Sequence, residues 1–199
     1  AAYVVRESVA QALPWRRAIA VVAAAHPPPR LYPVQVKNQW GFITGQGALA
    51  ITPVFDEVRP FRENLAAARI RNAWGYVNRD GLWAIPPQFD DASDFSEGLA
   101  RVRMGGRFGF INPDGRFVIN PIFDEAEPFS EGLAAVRRGD RIGYVDASGA
   151  FVLTPDADEI LNFSEGLAAV RKGPRWGYVD RTGQVVIPVR FATLLTRAS

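Results

Sequence analysis

The 199-residue chain has no cysteine, one histidine (His26) and one methionine (Met104). Without cysteine there is no disulfide, no thiolate metal site and no thiol nucleophile. A single histidine cannot build a His-based metal cluster. His26 stands against Pro27-Pro28-Pro29 with nothing beside it to activate, and reads as an exposed linker residue. A large excess of positive charge is also missing. The formal net charge is +2, which does not predict a nucleic-acid partner. The longest wholly apolar run, Ala18 to Ala25, falls well short of the ~20 residues that span a bilayer, so no transmembrane segment is expected.

That run follows Arg16-Arg17 and ends in Ala23-Ala24-Ala25, a faint signal-peptide pattern that leans toward an extracytoplasmic protein. A short helix or ordered tail is the preferred reading, because the apolar stretch is weak. Three prolines favour a stiff connector. Residues 1–30 are therefore read as a leader and linker, and 192–199 as a tail.

What is present is turn-forming and aromatic. The 18 Gly, 15 Pro and 12% aromatic residues favour short strands and tight turns over long helices. An internal period dominates residues 31–191. Trp40-Gly41 recurs as Trp74-Gly75, Phe108-Gly109, Ile142-Gly143 and Trp176-Gly177, each 34 residues apart with no insertion. In the same register run Gly47, Gly81, Gly115, Gly149 and Gly183, then Asp56, Asp90, Asp124 and Asp158. Phe61, Phe95, Phe129 and Phe163 follow, then Glu63, Glu97, Glu131 and Glu165.

Each unit reads as a small meander of three strands. Trp74 to Asn78 suits a strand, and Asn78-Arg79-Asp80-Gly81 a hairpin turn. Trp83-Ala84-Ile85 returns and is ended by Pro86-Pro87. A compact loop through Phe89-Asp90-Asp91-Ala92 and Phe95-Ser96-Glu97-Gly98 leads to a third strand, Leu99 to Arg103. The glycine after each Trp is expected to leave room for an aromatic of a neighbouring strand, such as Phe55, Phe89 or Phe123. One unit cannot bury its apolar face alone, so stacking supplies the core. The expected fold is all-β, a tandem array of five 34-residue β-meander repeats. Solenoid-like stacking and propeller-like closure are both open.

These residues closely resemble the bacterial WG repeat family. The signature is clearest in W176-G-Y-V-D-R-T-G-Q-V-V-I-P, preceded by F163-S-E-G-L-A-A-V-R-K-G, and the match covers roughly 160 residues. The resemblance implies repeated β-hairpins with a binding role and no catalytic residues to transfer. Departures are Ile142 for Trp and Ala157 for the loop Phe in the fourth unit, and Asn64 for Gly in the first.

Candidate chemistry is sparse. Gly45-Gln46-Gly47-Ala48-Leu49-Ala50 has the letters of a dinucleotide fingerprint. It is followed by Ile51-Thr52-Pro53 rather than a helix, so the match is accidental. The acid pairs Asp56-Glu57, Asp90-Asp91, Asp124-Glu125 and Asp158-Glu159 could in principle serve glycoside hydrolysis or calcium binding. Active sites are usually single and asymmetric, and four equivalent copies read as turn chemistry. No cofactor, metal or catalytic residue is expected, and the chain is read as a non-enzyme.

Two basic columns are the candidate binding residues. Arg69, Arg103, Arg137 and Arg171 form one; Arg107, Arg141 and Arg175, each just before a Trp-Gly position, form the other. They read either as Arg–carboxylate ladders between units or as a stripe meeting an acidic protein or envelope polymer. Trp40, Trp74, Phe108 and Trp176 could offer a row for sugars, but periodic aromatics are more often core. The functional expectation is a non-catalytic repeat module binding a protein or an envelope polymer. The alternatives are a structural spacer in a larger assembly and, least favoured, a carbohydrate-active enzyme.

Overall fold

The computed structural model describes residues 28–193. The leader, His26 included, lies mostly outside that range, as does 194–199. Among the described residues there is no helix. The first strand starts at Leu31 and the last ends at Phe191, and this array forms one compact unit.

The described residues form nineteen strands in five antiparallel sheets. The first sheet has three strands, β1 (Leu31–Val36), β2 (Gln39–Thr44) and β3 (Leu49–Phe55). Each later sheet has four in sequential order; the second holds β4 (Glu57–Val58), β5 (Ala66–Ile70), β6 (Ala73–Val77) and β7 (Trp83–Phe89). The unit thus contains four strands rather than three. The segment expected to be a loop after Asp90 is a strand, Asp91–Ser96, paired with Leu99–Met104. Its polar letters hide it, but backbone pairing and inward-facing Ala92 and Phe95 hold it.

Sheet boundaries are also offset from the sequence period. The unit beginning at Trp74 supplies the last two strands of the second sheet and the first two of the third.

The Pro pair does not end its strand. Trp74 pairs with Phe89 and Tyr76 with Ile85, so Pro86 and Pro87 sit in a bulge opposite Gly75, where no ladder donor is needed. This explains the periodic glycine. A Cβ on Gly75 would meet Ile85 O at 2.5 Å and Pro87 N at 2.7 Å. What fills the space is bulged backbone, not the aromatic expected there.

Packing runs between consecutive sheets through four apolar joints. At each, small residues of one sheet admit rings of another, as Ala66 and Ala68 do for Phe42 and Phe55. Two aromatic contacts recur with the period. Tyr76–Phe95, Phe110–Phe129 and Tyr144–Phe163 lie 4.7–4.8 Å apart between ring centres. Phe55–Trp83, Phe89–Phe117 and Phe123–Phe151 meet edge to face. The fourth joint lacks the second contact, since Ala157 and Val185 occupy those positions.

Among the described residues no strand pairing joins one sheet to another, and no barrel closes. Apolar side chains are exposed on both outermost sheets, Tyr32, Val36 and Leu49 on the first and Val185, Val186 and Phe191 on the last.

Candidate binding surface

The first arginine column lies directly across a strand pair from the Trp column. Arg69 faces Trp74, Arg103 faces Phe108, Arg137 faces Ile142 and Arg171 faces Trp176. On its other side each Arg faces an acid: Glu57, Asp91, Glu125 and Glu159. Three of these pairs close as ion pairs, Arg69–Glu57 at 2.9 Å, Arg137–Glu125 at 3.0 Å and Arg171–Glu159 at 2.7 Å. The ladder is therefore inside each sheet, not between units.

Arg103 breaks the pattern. Its partner is the shorter Asp91, which is taken instead by Arg101 at 3.1 Å and approached by Arg59 at 3.8 Å. Arg103 is left exposed, in no ion pair among the described residues, over Phe108 at 5.9 Å.

The second column is less uniform. Arg107 pairs with Asp124 at 2.7 Å. Arg141 lies over Phe151 at 4.0 Å and Arg175 stands in solvent, neither in an ion pair among the described residues. Lys172, across the hairpin from Arg175, is held by Asp156, whose hydrogen bond raises the ammonium pKa.

All members of the Asp column and three of the four in the Glu column have backbone partners. Asp56, Asp124 and Asp158 accept hydrogen bonds from Arg71, Gly139 and Gly173 amides at 2.7–2.8 Å, and Asp90 accepts a longer one from Gly106. Each clamps the tip of the central hairpin of its sheet. The Gly173 amide lowers the Asp158 pKa. Glu63, Glu97 and Glu131 reach one sheet onward, to the amides of Gly98, Glu131 with Gly132, and Gly166 respectively. These carboxylates are spread along the array, each with its own amide.

One polar cluster does not repeat. Asp91 sits between Arg59 of the second sheet and Arg101 of its own, and Arg101 also donates to Ala126 O in the fourth sheet at 2.8 Å. Nearby, the buried Tyr76 hydroxyl donates to Ser93 O at 2.8 Å, and burial pushes its pKa far up. Burial also raises the Asp94 pKa, against the pull of Arg59 and Arg62. Asp94 Oδ1 and the Nε atoms of Arg59, Arg69 and Arg101 are buried without a hydrogen-bond partner. The sequence signal for this cluster was departure from the columns. Position 101 is Ala in the second, fourth and fifth sheets (Ala67, Ala135, Ala169), and position 94 is Pro in the second and fourth (Pro60, Pro128).

The profile of the WG containing repeat matches residues 40–72, 74–108, 108–141, 142–173 and 176–192. The chain belongs to this family. No curated protein matches it. Among solved structures the WG array is similar in fold to KlHsv2 with loop 6CD replaced by a Gly-Ser linker. That match has 12% identity and a TM-score of 0.52, and covers 79% of this chain and 61% of the other. It is also similar to a eukaryotic initiation factor, at 10% identity and a TM-score of 0.55, over 83% of this chain and 53% of that one. The chain thus spans about half to three-fifths of the length of these structures.

In WG terms, the signature Trp is the ring beneath the Arg column, and the signature Gly admits the bulge. Trp74 is only 5% exposed, while Trp40, Phe108 and Trp176 are half-buried, so this row is chiefly core. Among the described residues no cluster of three or more potential metal ligands occurs, and no helix is long and apolar enough to cross a membrane.

Proposed function

We propose that this WG array is a non-catalytic binding module whose edge of hairpin tips meets an acidic protein surface or an anionic envelope polymer. The observation that supports the reading is the set of guanidinium groups left over from the ladders. Arg103, Arg141 and Arg175 lie on the third, fourth and fifth sheets, all exposed and none in an ion pair among the described residues. Cations without an internal counter-ion are free to recognise an external anion, and a rigid array repeats them along one edge.

The reading leaves the periodic acids no catalytic part. Paired catalytic carboxyls need neighbours that separate their pKa values, whereas the first acid of each pair here holds a backbone amide and the second faces an arginine. The test is affinity capture from host extract with wild type and an Arg103→Glu, Arg141→Glu, Arg175→Glu variant, after circular dichroism verifies that both fold. The module reading expects a partner that the triple variant loses. Identical partners from both proteins move binding to another face, and an empty result from both leaves a structural spacer.

A further inference from the structure

In three sheets the first arginine column covers a ring at nearly one distance. Arg69 lies 5.8 Å from the centre of Trp74, Arg103 5.9 Å from Phe108 and Arg171 5.8 Å from Trp176. In the fourth sheet the residue facing Arg137 is Ile142. The lost ring is not made good by larger neighbours. Ala126 stands where the second sheet has Val58, and Ala135 where it has Ala67.

A cleft of about 60 Å³ remains there, its apolar lining Ala126, Val136, Ile142 and Ile160, with Arg137 beside them. Two acids of the lining, Glu125 and Glu159, are committed to Arg137 and Arg171. Glu127 is the third acid of the lining. In the second sheet the equivalent residue is Arg59, whose guanidinium also lies over Trp74, at 5.3 Å. Here the charge is reversed. Glu127 is exposed, and its carboxylate makes no hydrogen bond or ion pair among the described residues.

We propose that this cleft is a binding slot for an aromatic side chain of a partner polypeptide that carries a basic residue beside it. The occupant is argued from the molecule itself. The slot in sister sheets holds a ring under an arginine, and a guanidinium beside an apolar lining favours a π face. Glu127 supplies the complement to a neighbouring Lys or Arg. The inference rests on the reading of the chain as a binding module, but not on the basic edge, whose preferred partner would be acidic.

The probe is tryptamine, an indole with an ammonium group, titrated into the full chain and followed by amide chemical shifts. The expected result is saturable shifts at Ala126, Ala135, Arg137 and Ile142. Ile142→Trp, which restores the ring of the repeat, should abolish them. Glu127→Gln alters an exposed side chain and leaves the fold intact. It should weaken tryptamine several-fold while leaving neutral indole unchanged.

Shifts absent from these residues in the wild type, or retained in Ile142→Trp, overturn the proposal. So does equal binding of tryptamine to the Glu127→Gln variant, a result that holds even if Ile142→Trp does not fold. The two experiments fail separately. A silent titration removes the slot without touching the capture result, and an empty capture leaves tryptamine occupancy to be read by itself.

Discussion

The Glu97 carboxylate crosses from the third sheet to the fourth and accepts the amides of Glu131 at 2.6 Å and Gly132 at 2.8 Å. Those amides belong to a hairpin tip with positive φ at both residues, 54° and 78°. Both left-handed residues point their N–H groups the same way, which makes a small anion-binding nest. Glu97 is itself left-handed, φ 56°, a conformation that costs a non-glycine residue about 1–2 kcal/mol. The charge-assisted bonds offset that cost. Glu97→Ala is expected to lower stability by about 1–2 kcal/mol in urea unfolding. Glu165→Ala, in the last tip, should change it by less than about 0.5 kcal/mol, because the Glu165 carboxylate has no such partner among the described residues. Equal losses would remove the inter-sheet role.

Two glycines separate space from backbone conformation. Gly75→Ala would press a methyl group into the bulged backbone and should cost about 3 kcal/mol or more. Gly98 has φ 77° and nothing within 4 Å of a Cβ, so Gly98→Ala should cost only about 1–2 kcal/mol. Thermal unfolding of the pair checks the order.

The buried hydroxyls of Tyr76 and Tyr144 donate to Ser93 O and Leu161 O at 2.8 and 2.7 Å. Replacing either with Phe leaves a carbonyl without its donor, at about 1–3 kcal/mol. The same position carries Phe110 in the third sheet, so the ring itself is accommodated. Chemical denaturation of Tyr76→Phe and Tyr144→Phe measures the loss; no change would show that another donor replaces the hydroxyl.

Acid should act on two groups of aspartates with opposite sign. Hydrogen bonds from Ser148 and Thr182 hydroxyls lower the pKa values of Asp146 and Asp180. Carboxyls shifted down stabilise the fold above the ordinary value near ~3.9 and lose that contribution as pH falls through the folded value. The Asp146→Asn, Asp180→Asn variant should therefore show a smaller difference in urea midpoint between pH 7 and pH 3 than wild type. Asn78 and Asn112 already serve in two sister turns. Asp94 is shifted up by burial, so its ionisation costs stability as pH rises through the folded value. Asp94→Asn should gain stability over wild type at pH 7 more than at pH 4. A gain that is the same at both pH values would exclude a titration effect.

The period, the all-β class and the turn glycines were legible because they recur in residue type. Gly81 and Gly115 do have positive φ, where the hairpin turns require it. The strand Asp91–Ser96 was not legible, since its letters are those of a loop and only pairing with Leu99–Met104 reveals it. Pro86-Pro87 misled for a related reason: local rules end a strand at proline, and the bulge is visible only with the partner strand in view. At the candidate site the two arginine columns could be read directly. Which members keep a free cation could not, because that depends on Asp91 being one methylene shorter than Glu57, Glu125 and Glu159 and turning to Arg101.

The offset between sequence unit and sheet has a consequence for how such a chain can change length. A cut between Trp-Gly units passes through the middle of a four-stranded sheet and leaves only a two-stranded half of it. Removing 34 consecutive residues from within the array instead rejoins strands in matching register. The architecture thus resists truncation at the motif borders yet tolerates gain or loss of a whole period at any phase. Lineages can vary the reach of the array by unequal recombination without new loop or sheet invention.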